Sequence, residues 1–268
     1  MLLLERLASE DRKLSDGQRA VARWLVAHRN EIPNATVKRI AEETFTSPAT
    51  VVRLAKSFGY TSFEPMREDL TDEVLYLDRR FKGLNPNAPF AANDSVMTVA
   101  TKVASLARDT VADTLALMDA DSLSCAVELV DRAHRLYMAA SSFPLLYAQD
   151  FMLKMRRIGK DVEVTTLAGE QSFVGGIIRH DDCAIVISYS GVTPPTLDLA
   201  RMFRRREIPL VALTSMGVNP LRELADVTLT LTTREQMYPR VIGYTSHLSM
   251  KQVLDTLYSC VYVRHMGD

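Results

Sequence analysis

The chain has 268 residues, 47% of them apolar and 24% charged, with a formal net charge of −1. That composition supplies a sizeable core and excludes a disordered, collagen-like or broadly polycationic protein. Three isolated cysteines (Cys125, Cys183, Cys260) form neither a disulfide framework nor a zinc spacing, and the opening MLLLERLASEDRK meets charges too early for a signal peptide or a membrane span. A cytoplasmic location with no membrane partner is expected.

Residues 1–80 carry thirteen Lys plus Arg against thirteen Asp plus Glu, so any nucleic-acid contact must come from local placement rather than a basic excess. Ser15 and Gln18 form a capping box, and Val21, Trp24, Leu25 and His28 recur on one helical face. Thr36 caps a second helix, VKRIAEET, with Val37, Ile40 and Ala41 inward. Ser47-Pro48 starts a third, whose buried stripe is Val51, Leu54, Ala55 and Phe58 and whose outward side is Thr50, Arg53 and Lys56. Gly59 falls where a left-handed C-terminal residue belongs. Two short helices joined by a tight turn make a helix-turn-helix, although structural three-helix units of this size are equally common. The outward face is short, polar, basic and free of carboxylates, as entry into a major groove requires.

The stretch TSPATVVRLAKSFGYTSF resembles the amino-terminal helix-turn-helix of RpiR-type transcriptional regulators, over about residues 14–70. The resemblance implies a double-stranded DNA operator as partner, with Thr36, Ser47, Thr50, Arg53 and Lys56 as the candidate DNA-binding residues. It also exposes a departure. The tight turn, where such regulators usually have glycine, carries Phe45, which would be strained at positive φ and is expected to reshape the turn.

Periodicity lapses over 77–94, LDRRFKGLNPNAPFAAND, read as a linker between a DNA-binding domain (1–76) and a second domain (95–268). Helical patterns return over 95–118 and 121–134, after which strands and helices alternate. Strands are expected near 136–140, 162–166, 183–188, 210–214 and 227–231, with helices near 145–157, 171–178, 196–206 and 220–224. This predicts an all-α helix-turn-helix domain followed by an α/β doubly wound domain with a five-stranded parallel sheet. A last helix, 245–264, repeats apolar residues at Met250, Val253, Leu254, Leu257, Tyr258 and Val261. So wide a stripe suggests a subunit interface, in a homodimer or homotetramer.

The stretch CAIVISYSGVTPPT, from Cys183, is an apolar run that stops on hydroxyls around one glycine, which reads as a buried parallel strand delivering a loop to the ligand edge of the sheet. Ser188, Ser190 and Thr193 would present hydroxyls to an oxyanion, and Gly191 would let a backbone N–H join them. The plainer alternative is a turn in which Thr193 is an N-cap and Pro194 the first helical residue.

Ser-x-Ser-Gly-x-Thr after an apolar strand resembles the phosphate loop of SIS domains, over about residues 121–264. It implies a phosphosugar ligand held by Ser188, Ser190, Gly191 and Thr193, with Ser141 and Ser142 of the first loop as further candidates. That first loop, Ala139-Ala140-Ser141-Ser142-Phe143-Pro144, lacks the glycines usual there and places Phe143 where a serine is usual; Pro194 and Pro195 remove two N–H donors. The rival reading is a phosphosugar isomerase, whose base commonly follows the loop glycine, here Val192. His247 is the remaining candidate base and reads better as structural; the run from His180 to Asp182 reads as a solvated turn rather than a metal cluster. The expected protein is a DNA-binding regulator with a phosphosugar effector (or another ligand), no catalytic residues, no metal and no cofactor.

Overall fold

Five strands and eleven α-helices organise the residues described by a computed structural model, namely 2–8, 14–78, 84–166, 173–174, 177–232, 234–235 and 243–266. They divide into two units, Met1–Lys82 and Gly83–Asp268.

The first unit is all-helical: α1 (Leu3–Ala8), α2 (Asp16–Ala27), a 3₁₀ turn (Arg29–Asn34), α3 (Val37–Glu43), α4 (Pro48–Ser57) and α5 (Phe63–Asp78). The Ser15–Gln18 capping box starts α2, and Val21, Leu25, Ile40, Val51, Leu54 and Phe58 meet in the core. Trp24 stacks on His28 at 4.7 Å and donates its indole N–H to Glu43 at 2.7 Å, tying α2 to α3. Glu73, fully buried on α5, accepts the backbone N–H groups of Leu3 (2.5 Å) and Leu4 (3.0 Å), which are orphan donors at the start of α1.

In the second unit α6 (Val96–Leu117) and α7 (Ala120–Arg132) precede β1 (Arg135–Ala140), α8 (Phe143–Arg157), β2 (Asp161–Val164), β3 (Cys183–Ile187), α9 (Pro194–Arg205), β4 (Leu210–Ser215), α10 (Pro220–Leu224), β5 (Val227–Leu231) and α11 (Tyr244–Arg264). The sheet is five-stranded and parallel throughout, in the order β2-β1-β3-β4-β5. Along β3 the side chains alternate between two cores: Cys183, Ile185 and Ile187 join α7, α8 and α11, while Ala184 and Val186 join α9 and α10. Both faces are therefore covered, which is why the strand carries no polar residue. Of the helix expected over 171–178, only 173, 174, 177 and 178 lie within the described residues; Val174 and Ile178 are buried in the second of these cores.

Two expectations change. Residues 84–94 pack on the second unit, with Pro86 and Pro89 buried, Asn87 donating to the Arg234 carbonyl at 3.1 Å and Asp94 pairing with Lys102 at 2.6 Å. The wide apolar stripe of α11 is occupied within the subunit: Met250, Val253, Leu254, Leu257 and Val261 sit in one core against α6, α7, α8 and β5. Its width follows from packing on four elements at once and is no evidence for a subunit interface.

Burial pushes the Glu73 carboxyl up to about 7, desolvation outweighing its two N–H donors, and burial pushes Glu5 up as well. A folded pKa above the unfolded value favours folding through the protonated form, so this stability is fully present below about pH 4.5 and is lost as the pH rises through 7. Trp24 is the only tryptophan and lies in this unit, so its fluorescence should show a midpoint of unfolding that falls between pH 5.5 and 8. Glu73→Gln should reduce that slope; an unaltered slope would contradict the assignment.

Candidate DNA-reading face and anion loop

Side-chain caps start both helices of the helix-turn-helix: Thr36 accepts from the Arg39 N–H at 3.2 Å and Ser47 from the Thr50 N–H at 3.3 Å. Between them the turn is a Schellman motif, with the Thr46 N–H donating to Ala41 (2.9 Å) and the Phe45 N–H to Glu42 (3.3 Å). Phe45 occupies its left-handed position at φ 52° with the side chain 98% exposed. The turn is thus closed by its own hydrogen bonds and not reshaped; the phenylalanine takes the strain that a glycine would avoid. Gly59 has φ 98° as its position requires.

Arg53 and Lys56 are exposed on α4, as are Ser47 on its cap and Thr36 before α3. Thr50 is a correction, because it is buried rather than outward. It lies against Gly17 of α2, where a β-carbon would stand only 3.2 Å from Thr50 Cγ2, and its hydroxyl accepts from Arg53 Nη2 at 3.0 Å. Its role is to orient the arginine. A glycine in the first turn of α2 was the sequence signal for that close crossing.

The second site is set by strand register. Ala140 of β1 pairs with Ile187 of β3, so Ser141 and Ser188 leave the sheet side by side where the strand order reverses, the crevice that ligands use in open α/β sheets. Ser188 and Ser190 are 4% and 6% exposed. Their hydroxyls lie 3.0 Å and 3.3 Å from that of Thr193 and 3.5 Å from each other. The Gly191 N–H donates to Ser188 Oγ at 3.1 Å and the Val192 N–H to Ser190 Oγ at 3.3 Å. Thr193 precedes α9 but makes no side-chain cap; its hydroxyl faces the two serines instead. Ser141 Oγ is 3.2 Å from Thr196 Oγ1 on α9, whereas Ser142 is exposed, caps nothing and is held at φ 61° in place of a glycine.

Gly191 is required by geometry. At φ 67°, a β-carbon there would fall 1.9 Å from Asn219 Oδ1, whose side chain caps α10 at the Arg222 N–H (3.1 Å). Tyr189 points the other way, its hydroxyl donating to the Glu235 carbonyl at 3.0 Å. The buried Glu235 carboxylate accepts the N–H groups of Thr245 (2.7 Å) and Ser246 (3.2 Å) at the start of α11 and the Ser246 hydroxyl (2.5 Å). Neither residue stands out in the sequence, because Tyr189 acts through a partner 46 positions away and Glu235 through the start of α11. Val192 is exposed, His247 packs on Phe143 at 4.8 Å between ring centroids, and Asp182 accepts the Arg179 N–H at 2.7 Å in its turn. Among the described residues no three His, Cys, Asp or Glu side chains gather as a metal site.

A family model described as a helix-turn-helix domain of the rpiR family matches residues 1–75, and a SIS domain model matches residues 128–257. The chain is 26% identical over 255 residues to the HTH-type transcriptional regulator YbbH of Bacillus subtilis, covering 94% of this chain and 87% of that one. It is 24% identical over 259 residues to the HTH-type regulator CPE0189 of Clostridium perfringens, covering 97% and 91%. The solved structure of the Vibrio vulnificus NanR protein complexed with ManNAc-6P has the same fold, with a TM-score of 0.63 at 24% identity over 99% of this chain and 94% of that one. So does the sugar isomerase domain of an RpiR transcription factor from Sphaerobacter thermophilus, with a TM-score of 0.57 at 21% identity over 62% and 91%.

Relief of the left-handed strain at Phe45 is measurable. Phe45→Gly should stabilise the first unit by roughly 1 kcal/mol, an upward shift of about 4–8 °C in the Trp24-monitored midpoint. A fall in the midpoint would mean that the phenylalanine ring contributes packing that its exposure denies.

Proposed function

Because the chain belongs to the RpiR family of transcriptional regulators, we propose that it binds a double-stranded operator through α4 and that a phosphorylated sugar, held at the Ser188–Thr193 loop, controls that binding. The observation that carries the reading is the convergence of three hydroxyls, two of them buried, at the sheet's switch point. A hydroxyl can donate to a phosphate oxygen and, in its absence, to a neighbouring hydroxyl, so the same cluster is satisfied in both states. The likeness to NanR, whose solved complex holds ManNAc-6P, supports the same class of ligand.

Arg53 and Lys56 are the groups for base edges and phosphates, with Ser47 and Thr36 positioned at helix starts and Thr50 behind Arg53. The first unit, Met1–Lys82, is the DNA-reading part and the second, Gly83–Asp268, the ligand-binding part. Ligand contacts fall to Ser188, Ser190 and Thr193, with Gly191 shaping the loop and Ser141 and Ser142 lining its edge. The protein acts as a sensor and not an isomerase, since Val192 offers no proton acceptor where the loop would present a base. It works in the cytoplasm as a homo-oligomer, because paired half-sites call for paired recognition helices about 34 Å apart.

Arg53→Ala should weaken operator binding by about 1–3 kcal/mol if the guanidinium reads a base, with the fold retained because the side chain is exposed. Unchanged affinity in a gel shift would refute the assignment, and a loss spread over all sequences would mark a phosphate contact. The effector should change operator affinity roughly 5- to 150-fold, and operator should change effector affinity by the same factor. Ser190→Ala, Thr193→Ala should abolish both; a tightly bound phosphosugar that leaves operator affinity untouched would sink the sensor reading.

A further inference from the structure

Phe45 is the most exposed large apolar side chain among the described residues, and it sits at φ 52°, where a glycine would be unstrained. Within the chain nothing offsets this, since so accessible a ring buries no apolar surface. Its neighbour turns the other way. Thr46 faces α2, its hydroxyl 2.9 Å from that of Thr44 and its methyl 3.6 Å from where a β-carbon on Gly17 would stand, while Phe45 projects into solvent. Ser47, the N-cap of α4, is two residues on, so its Cα is at most roughly 7 Å from that of Phe45. The N-terminal residues of a recognition helix are the ones that reach base edges, which puts the ring at the rim of the groove that α4 would enter. Pro48 and Ala49, in the first turn of α4, are also exposed and, like Phe45, carry no side-chain donor or acceptor. The carboxylates that precede the turn, Glu42 and Glu43, are matched by Lys38 (3.9 Å) and Arg39 (2.7 Å), so they oppose a polyanion little.

Size and chemistry decide what such a surface takes. A phenylalanine buries about 150–250 Å² at most, well short of the ~800 Å² per partner of a stable protein–protein interface, so the ring cannot by itself hold a second copy or another protein. In a major groove the apolar group on offer is the C5-methyl of thymine; the other base edges are hydrogen-bond donors and acceptors that a phenyl ring leaves unmet. We propose that Phe45 packs on a thymine methyl at the edge of each half-site and makes operator preference depend on thymine there, an apolar reading beside the polar one of Arg53 and Lys56. The inference rests on the DNA-reading role of α4 given above.

Duplexes enriched by the full chain from a randomised pool, then resynthesised with deoxyuridine in place of one thymine at a time, test it by fluorescence anisotropy, because uracil lacks only that methyl. At one position in each half-site the exchange should weaken wild-type binding about fourfold, the equivalent of about 0.8 kcal/mol for one buried carbon. Phe45→Gly and Phe45→Ala should lose at least that factor on the thymine duplex and be indifferent to the exchange, even though Phe45→Gly gains thermal stability. Arg53→Ala should lose affinity yet keep the uridine effect. A wild type indifferent to uridine at every thymine, or a uridine effect undiminished in both Phe45 variants, would overturn the proposal and leave α4 as the reading helix. Failure of the chain to enrich any duplex would overturn both.

Discussion

The parallel pairing of β1 with β3, fixed where Ala140 meets Ile187, is the constraint on which the second unit depends. Strand side chains alternate with a period of two, so a slip of one residue would turn every β3 side chain from one core to the other. The slip is blocked on both faces, because Ile185 and Ile187 are fully buried on one and Ala184 and Val186 on the other. The same alternation continues past the strand end. Ser188 and Ser190 share a direction and Tyr189 takes the opposite one, into the core beneath α11. A loop that would otherwise be a flexible turn is thereby anchored from below by its middle residue and from the side by Asn219 under Gly191.

Polar contacts buried in the same unit fix α6 and α11 against the end of β5. Asp113 of α6 accepts from Arg234 at 3.1 Å, both nearly inaccessible to solvent, while Thr114 donates to Ser249 and Ser249 accepts the Thr232 N–H, each at 3.0 Å. Desolvating such an ion pair offsets most of its Coulomb attraction, so its contribution is to position rather than to net stability. Apolar contacts alone would let α6 slide along α11 at small cost. Hydrogen bonds with defined partners do not, since each shift leaves a buried donor or acceptor unmet.

Much of this was legible in the sequence, and the reason is local. The stripe Val51, Leu54, Ala55 and Phe58, the caps at Ser15, Thr36 and Ser47, Gly59, and the apolar run of β3 are each decided by neighbours a few residues away. What sequence reasoning misplaced was decided at long range. Thr50 turns inward because α2 crosses α4 at Gly17; the stripe on α11 is wide because four elements pack on it; Pro86 and Pro89 are buried because the stretch around them lies on the second unit. Phe45 marks the boundary between the two kinds of information. Its left-handed position was predictable from the turn, yet the retention of the turn was not, because the Schellman hydrogen bonds and the core contacts of α3 and α4 outweigh one strained residue.

The same balance bears on how the Ser188–Thr193 loop would hold the proposed oxyanion without a helix N-terminus rich in donors. Pro194 and Pro195 remove two N–H groups from the first turn of α9, so the dipole of that helix offers few hydrogen bonds to a ligand. Of the N–H groups before them, those of Gly191 and Val192 are spent on Ser188 and Ser190. That expenditure has a use, because a hydroxyl that accepts a hydrogen bond becomes a better donor in turn. In a cluster of three mutually bonded hydroxyls the protons satisfy one another through neutral hydrogen bonds; an oxyanion would accept all three as charge-assisted bonds of roughly twice the strength. Ser188 and Ser190 are already buried, so little further desolvation opposes the exchange. In the proposed reading, recognition of an oxyanion falls to side-chain hydroxyls held in advance by the backbone, while Gly191 is required by the packing of Asn219 whatever the ligand.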